Sequence, residues 1–214
     1  RTKLSRSGNG NRSVPIFASA WHHRGYAGEV ARRVRRLKCD AVHVMNYSQF
    51  VPIVRRYNPS CKIGLHMQCE WLTQLAPEVV GPRLKQADLM IGCSEHITRT
   101  VATKLPEFSA RCVTVPNAAD VVARAEGPRE GSKAVLFVGR LSPEKGVHDL
   151  IRAFHRVLMR CPDATLHLVG GAGSAPLEFM VGVSDDPHVH ALRRFYPENP
   201  SGPKDPYLQA LETE

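Results

Sequence analysis

Three residues suited to binding an anion lie close together, where a predicted strand is followed by a predicted helix: Gly139, Arg140 and Lys145. Arginine presents a planar fork of N–H donors that can hold two phosphate oxygens, and lysine adds a compact positive charge. The first turn of a helix adds unpaired N–H groups and a partial positive charge. These residue types at this spacing predict a site for a diphosphate. A solvated basic turn would contain the same residues, and charge and spacing alone leave both interpretations open.

The elements on either side of this loop form a βαβ unit. Residues 135–138 are a short apolar run, which predicts a strand buried on both faces. Apolar residues recur at helical spacing over 147–158, and residues 166–169 are a second apolar run. We therefore expect two parallel strands joined by a right-handed crossover. Ligands of such sheets lie beyond the carboxyl ends of the strands, which is where Gly139 and Arg140 lie.

This stretch also resembles a known family. Residues 138–147 read Val-Gly-Arg-Leu-Ser-Pro-Glu-Lys-Gly-Val, and a helix ending Ala-Phe-x-x-Val-Leu and the sequence Leu-Val-Gly-Gly follow. Together they resemble the donor-domain signature of family 4 of the retaining glycosyltransferases. Three earlier stretches resemble the same family, at 65–75, 93–97 and 115–120. The resemblance extends from residue 24 to residue 180.

The resemblance implies an α/β protein with a GT-B-like fold, which consists of two Rossmann-like domains with parallel sheets. It implies that Gly139, Arg140 and Lys145 hold the diphosphate of a nucleotide-sugar donor. The implied reaction moves the sugar to an unidentified acceptor with retention. No cofactor is expected, because the nucleotide-diphosphate sugar is itself the donor substrate. No metal site is expected, because the six cysteines include no Cys-x-x-Cys pair and the ten histidines are scattered.

A second set of candidate residues lies in the first half of the chain. His66 is at the carboxyl end of a predicted strand, where catalytic loops belong. In the resembling family a histidine of this loop lies near the donor sugar. In one register His66 is that catalytic residue, and in the other Gln68 stands in its place; a third interpretation is a hydrogen-bonded histidine at a strand end. Glu70, Asn117 and Gly171 are further candidates for the substrate site.

The rest of the chain alternates short apolar runs with helical patterns, as a doubly wound α/β sheet does. Strands are predicted at 14–20, 41–45, 63–66, 88–92 and 112–115. A helix is predicted at 25–38, with a buried face made of Tyr26, Val30, Val34 and Leu37.

These patterns divide the chain into two domains. Residues 1–118 are predicted to form an N-terminal, acceptor-side Rossmann-like domain, in which 1–13 are expected to be disordered because they are mostly Ser, Gly, Asn and Arg. Residues 119–133 contain glycine and proline and predict a linker. Residues 134–214 predict a partial nucleotide-sugar donor domain. Because only two strands are predicted there, we expect the second domain to be incomplete and the chain to be a fragment, which by itself could be inactive.

Charge is distributed unevenly along the chain. Residues 1–62 carry a net charge of +11, and the remainder carries −2. A basic first half favours an anionic membrane surface as a partner, with a solvated face as the alternative. Nucleic acid is not expected, because no RNA-binding or helix-turn-helix pattern is present. No apolar run of about 18 residues and no secretory signal occurs, so a cytoplasmic protein is expected, at most peripheral to a membrane.

The alternative to an enzyme is a non-catalytic module that binds a nucleotide or phosphate, or an inactive truncated form. A dinucleotide-dependent Rossmann enzyme is disfavoured, because no Gly-x-Gly-x-x-Gly motif follows an early strand.

Overall fold

A computed structural model describes residues 17–120, 131–184, 186–197 and 205–214 of the 214-residue chain. The chain divides into two compact units, Arg1–Ala119 and Asp120–Glu214. Each unit is α/β and contains one parallel sheet, which confirms the predicted fold class and is consistent with a Rossmann-like GT-B architecture. The predicted disorder at the amino terminus, most of the predicted linker and the first part of the strand predicted at 14–20 lie outside the described residues.

Helices and strands alternate through the first unit. Its helices are α1 (Arg24–Arg36), α2 (Phe50–Tyr57), α3 (Pro77–Leu84) and α4 (Glu95–Lys104), and its strands are β1 (Ala41–Met45), β2 (Lys62–Met67), β3 (Leu89–Gly92) and β4 (Cys112–Thr114). Ser94 caps α4, because its hydroxyl accepts a hydrogen bond from the N–H of Ile97 at 3.4 Å. Phe17 to Ala20 form turns rather than the predicted strand. In the described part of the chain, no helix is long and apolar enough to cross a membrane.

The four strands of the first unit pair in chain order, and all are parallel. The register places Val44, Leu65 and Met90 in one row across the sheet. This row is buried in a single core with residues of all four helices, so the helices pack on that face. The alternate row lies on the opposite face, where Met45 and Val113 remain exposed. One face of the sheet therefore carries the core.

Helix α1 packs through its small residues. Its buried positions are Ala27, Gly28 and Ala31, and it lies against α2. Tyr26 and Leu37 are mostly exposed, so the prediction of a buried face through these two residues, with Val30 and Val34, is wrong. Small side chains let two helix backbones approach closely, and here this close packing determines which side of α1 is buried.

The second unit contains a two-stranded sheet and four helices in the residues that the structure describes. The strands are β5 (Ala134–Val138) and β6 (Thr165–Val169), and the helices are α5 (Val147–Leu158), α6 (Leu177–Met180), α7 (Pro187–Ala191) and α8 (Pro206–Leu211). The parallel βαβ unit is as predicted. The prediction that β5 is buried on both faces is wrong, since Leu136 and Val138 are 62% and 71% exposed. Of this sheet's described residues, Phe137 and Leu168 pack against the small core around Val147, together with residues of α5, α8 and a short 3-10 helix, Leu192–Phe195.

A charged pair joins two parts of the first unit. Arg55 on α2 donates to Asp88 Oδ2 at 2.6 Å and to the carbonyls of Pro59, Cys61 and Gln86. Asp88 Oδ2 also accepts the N–H of residue 63 at 2.8 Å. This backbone hydrogen bond, followed by Arg55, lowers the pKa of Asp88.

We expect Asp88→Asn to lower the free energy of unfolding by about 1 kcal/mol at pH 7, because the amide loses the charge while the partly exposed site limits the effect. The folded-state pKa of Asp88 is lowered, so its contribution is complete above the unfolded pKa near about 4 and is lost as pH falls through the folded value. Urea unfolding at pH 7 and at pH 3 measures both effects. Asp40→Asn is the control, since Asp40 makes no ion pair with the described residues. Equal losses in the two variants would contradict the prediction.

Candidate functional site

The loops that follow β5 and β6 lie side by side. The N–H of Gly139 donates to the carbonyl of Val169 at 3.0 Å, and the N–H of Leu141 donates to the carbonyl of Gly171 at 3.0 Å. A parallel bridge between Leu141 and Ala172 continues the pairing beyond the strands. The candidate residues Gly139 and Gly171 are therefore brought together at the carboxyl edge of this sheet, the edge at which ligands bind in open α/β sheets.

Gly170 makes this close approach possible. Its φ is +156°, and a Cβ built on it would lie 1.7 Å from the carbonyl oxygen of Gly139. No side chain fits at that distance, so the two loops can meet only if residue 170 is glycine. Gly171 is unconstrained in this sense, because a Cβ there would meet nothing within 4 Å.

Arg140 is held in place by the two loops. Its Nη2 donates to Glu144 Oε1 at 2.8 Å, and its Nη1 donates to the carbonyl of Gly173 at 3.2 Å. The Arg140 side chain is 54% exposed, whereas that of Glu144 is 13% exposed. A guanidinium has five N–H donors, and the described residues accept from only two of them. Arg140 is thus oriented by protein groups and retains donors for a ligand.

Lys145 lies in the same turn but is not held. It ends a 3-10 helix, Pro143–Lys145, and its exposed ammonium makes no hydrogen bond or ion pair with the described residues. Gly146 follows with a φ of +65° and lies directly before α5. The left-handed conformation at Gly146 turns the chain from the 3-10 helix into α5, and glycine adopts it without strain.

Four buried polar atoms around Arg140 have no hydrogen-bond partner in the described part of the chain: Ser142 Oγ, Glu144 Oε2, Ser174 Oγ and the Tyr196 hydroxyl. Burial raises the pKa of Tyr196 to about 12, and the charge of nearby Glu144 adds to the rise. Buried polar atoms of native proteins nearly always have a partner. This group of atoms therefore indicates a place that water or a ligand completes. The sequence analysis did not identify these residues; the only available signal was the four-residue spacing from Arg140 to Glu144.

The amino end of α5 is partly taken by a side chain of the protein itself. The buried hydroxyl of Tyr207 on α8 accepts the N–H of His148 at 3.1 Å and lies 2.8 Å from His148 Nδ1. The hydroxyl can donate to Nδ1 when His148 is neutral, and burial lowers the pKa of His148. The first turn of α5 therefore offers an anion one N–H fewer than the sequence predicts.

In the first unit, His66 joins a chain of side chains at the carboxyl ends of the strands. His66 Nδ1 lies 3.0 Å from Nε2 of His43, and His66 Nε2 lies 2.9 Å from Nε2 of Gln68. Gln68 Oε1 accepts from Asn117 Nδ2 at 2.6 Å. Three of the candidate residues, His66, Gln68 and Asn117, are thus connected in one network.

The network determines where the proton of His66 is. If the Gln68 amide donates to His66 Nε2, then His66 Nδ1 carries the hydrogen and donates to His43. Burial, with a smaller contribution from His43, lowers the pKa of His66, so the neutral form is favoured. His66 Nε2 is therefore already used as an acceptor, and it can serve as a base only after Gln68 moves away.

Asn46 positions this loop, and Glu70 lies apart from the network. Asn46 follows β1 with a φ of +58°, a conformation that asparagine tolerates, and its Oδ1 accepts the N–H of Gln68 at 2.7 Å. The sequence analysis did not single out Asn46 or His43. Glu70, which it did name, is 2.6 Å from His96 Nε2 on the solvent side of α4.

The region around Arg140 also matches a known protein family. Residues 120–183 match the family described as glycosyl transferases group 1. This stretch includes β5, α5 and β6, and with them Gly139, Arg140, Lys145 and Gly171.

Individual proteins extend the similarity over more of the chain. A Bacillus subtilis protein named "Putative glycosyltransferase YtcC" is 29% identical over 164 residues, which are 68% of this chain and 40% of that protein. The spore coat protein SA of the same organism is 25% identical over 188 residues, 78% of this chain and 48% of that protein. A phosphatidyl-myo-inositol mannosyltransferase of Mycobacterium tuberculosis is 37% identical over 108 residues, 42% of this chain and 28% of that protein. The chain spans less than half the length of these relatives, and the similarities support glycosyl transfer in general and the GT-B superfamily.

The contact between the two loops predicts that alanine substitutions at two adjacent glycines differ strongly in their effect on stability. Gly170→Ala is expected to lower the free energy of unfolding of the second unit by about 2–4 kcal/mol, because the new Cβ collides with the Gly139 carbonyl. Gly171→Ala is the matched control and should have little effect. Urea unfolding gives the change, and hydrogen exchange in β5 and β6 assigns it to this unit. If the two variants are equally stable, the loops do not approach as described.

The neutral state of His66 predicts a pH dependence. A histidine whose folded-state pKa is lowered contributes stability that is complete above its unfolded pKa near about 6.5 and is lost as pH falls through the folded value. We therefore expect the loss of stability between pH 7 and pH 5 to be smaller in His66→Gln than in the parent, with a residual slope from His22 and His148, whose pKa values burial also lowers. Urea unfolding across this range is the measurement, and exposed His155→Gln is the control. An unchanged slope in His66→Gln would show that His66 is not held neutral.

Proposed function

We propose that this protein transfers a sugar from a nucleotide-diphosphate sugar to an acceptor with retention of configuration, and that Gly139, Arg140 and Lys145 bind the donor diphosphate. One observation carries the proposal. Arg140 lies at the carboxyl edge of a parallel βαβ unit, its guanidinium is oriented by Glu144 and the Gly173 carbonyl, and most of its donors remain available.

The chemistry of glycosyl transfer makes this arrangement useful. As the bond between the sugar and the diphosphate breaks, negative charge accumulates on the departing phosphate oxygens. Donors that are already oriented stabilise that charge without reorganising during the reaction. Arg140 supplies a fixed pair of N–H groups, and Lys145 supplies a mobile charge on the same turn.

We further propose that His66, Gln68 and Asn117 of the first unit recognise a sugar. Hydroxyl groups of a sugar both donate and accept hydrogen bonds, and a network of a neutral imidazole and two amides can do the same. The lowered pKa of His66 favours the neutral imidazole, which has one N–H donor and one acceptor nitrogen for hydrogen bonds. The role proposed for His66 is thus to contact the sugar through Nε2 when Gln68 is displaced.

Calorimetry with uridine diphosphate and guanosine diphosphate at fixed salt tests the diphosphate site. Losing a charge-assisted hydrogen bond costs about 1.5–3 kcal/mol, so Arg140→Ala is expected to weaken binding roughly 10- to 100-fold. Arg140→Lys should recover only part of the loss, because a point charge cannot replace the planar fork. Lys145→Ala should weaken binding less, since its ammonium is exposed and screened by salt.

Arg156→Ala is the matched control, because Arg156 is an exposed arginine of α5 without an ion pair in the described residues. Arg55 cannot serve as a control, since its side chain holds Asp88 and three carbonyls. Equal affinity in the parent, Arg140→Ala and Lys145→Ala would show that the loop is only a solvated basic turn.

Proton NMR of the sugar released from uridine- and guanosine-diphosphate sugars distinguishes an enzyme from a binding module. The proposal expects slow release with the donor's anomeric configuration. Nucleotide binding that depends on Arg140 without any release would favour the alternative function, a non-catalytic nucleotide-binding module. Release with inverted configuration would contradict retention.

A further inference from the structure

A groove rich in arginine lies in the first unit. It has a volume of about 610 Å³ and runs between α1 and α2. Arg24, Arg32, Arg56 and Arg83 line it, and none of the described lining residues is acidic. Four like charges around one open groove repel one another, so the arrangement is least costly when an anion lies among them.

Arg83 gives this groove a buried charge. Its side chain is 7% exposed and donates to the carbonyls of Phe17 and Ala18 and to the hydroxyl of Ser48, at 3.3, 2.6 and 3.1 Å. No carboxylate pairs with it in the described residues. Carbonyl and hydroxyl oxygens satisfy N–H groups but do not neutralise the charge, and buried charges in proteins are normally paired.

The other three arginines remain accessible to a ligand. Arg24 lies over the ring of Trp21, and Arg56 makes no hydrogen bond or ion pair with the described residues. Arg32 donates from Nη2 and Nε to Glu29 Oε2 at 2.9 and 3.3 Å and from Nη1 to the Tyr57 hydroxyl at 3.4 Å. Both charged side chains are more than half exposed, so this ion pair is weak.

The backbone at this end of α1 also favours an anion. The helix has 13 residues, and its first turn contains no acidic side chain that would offset the positive end of the dipole. Gly25 and Gly28 line the groove, and a Cβ on Gly25 would meet nothing within 4 Å. At Gly25 the groove is therefore open to the backbone of α1, with no side chain between them.

We propose that this groove binds the phosphate group of a phosphate monoester. A phosphate carries up to two charges and accepts the paired donors of several arginines, which suits this lining better than a single carboxylate. The groove is much larger than a phosphate, and Pro52, Ile53 and Tyr57 form an apolar wall beside the arginines. The ligand thus carries an organic group, in the form of either a soluble phosphate ester or the headgroup of an anionic lipid.

Calorimetry with glycerol 3-phosphate on the full chain tests the phosphate site directly. Arg56→Gln is expected to weaken binding roughly threefold to tenfold. Gly25→Glu is expected to weaken it at least roughly tenfold, since it places a negative charge in the groove. The same substitution suits the first turn of a helix, so the fold should be retained. Gly25→Gln controls for the added side chain, and Arg33→Gln controls for the lost charge, because Arg33 is exposed on α1 but does not line the groove.

Vesicles of phosphatidylcholine with and without phosphatidic acid distinguish the two sources of the phosphate. Binding to glycerol 3-phosphate that the vesicles do not improve supports a soluble ester. Tighter binding to the phosphatidic acid vesicles, lost in Gly25→Glu and kept in Gly25→Gln, supports a lipid headgroup. The proposal is overturned if neither probe binds, or if Arg33→Gln weakens binding as much as Arg56→Gln, because the charge would then act as a diffuse basic surface.

Discussion

Parallel strands cannot be joined by a tight turn, so every strand of this chain needs a return path across a face of its sheet. In the first unit the strand order equals the chain order, and right-handed crossovers then bring the connecting helices to one face. The buried row through Leu65 and the partly exposed row through Met45 follow from this. The same constraint brings all carboxyl ends to one edge, which is why Gln68 and Asn117 meet although 49 residues separate them.

Apolar patterns predict helices and strands well here, because the pattern of each element lies within its own residues. The strand at 41–45 and the helix that begins at Val147 were both predicted with those bounds. Burial was predicted less well, because it depends on neighbours that a local pattern does not contain. Leu136 and Val138 belong to a strand that has one neighbouring strand and one covered face. Their side chains therefore remain exposed, although they belong to an apolar run. In α1 the small residue Ala31 is buried while the larger apolar residues stay outside.

The candidate site, like the fold, could be predicted from the sequence only in part. Glycine and arginine at the end of a strand indicate an anion site, because strand ends and helix starts can be read locally, and Gly139 and Arg140 were chosen as candidates in this manner. Other groups around this loop could not be found, because they come from distant positions in the sequence. Tyr196 approaches Glu144 only in the folded unit, and Tyr207 reaches α5 across 59 residues of sequence. The role of Asn46 rests on a left-handed backbone conformation that no spacing reveals.

The two basic regions of the chain differ in how their charge is balanced, and the difference bears on what each can bind. In the pair of Arg140 and Glu144, the carboxylate is the more buried partner. Leaving the carboxylate unpaired would therefore cost more free energy than leaving the guanidinium unpaired. An anion bound at Arg140 must share the guanidinium with Glu144, which weakens binding. Arg83 shares its charge with no carboxylate in the described residues and is held by neutral oxygens alone. An anion near Arg83 therefore meets no carboxylate on that arginine, whereas an anion at Arg140 competes with Glu144.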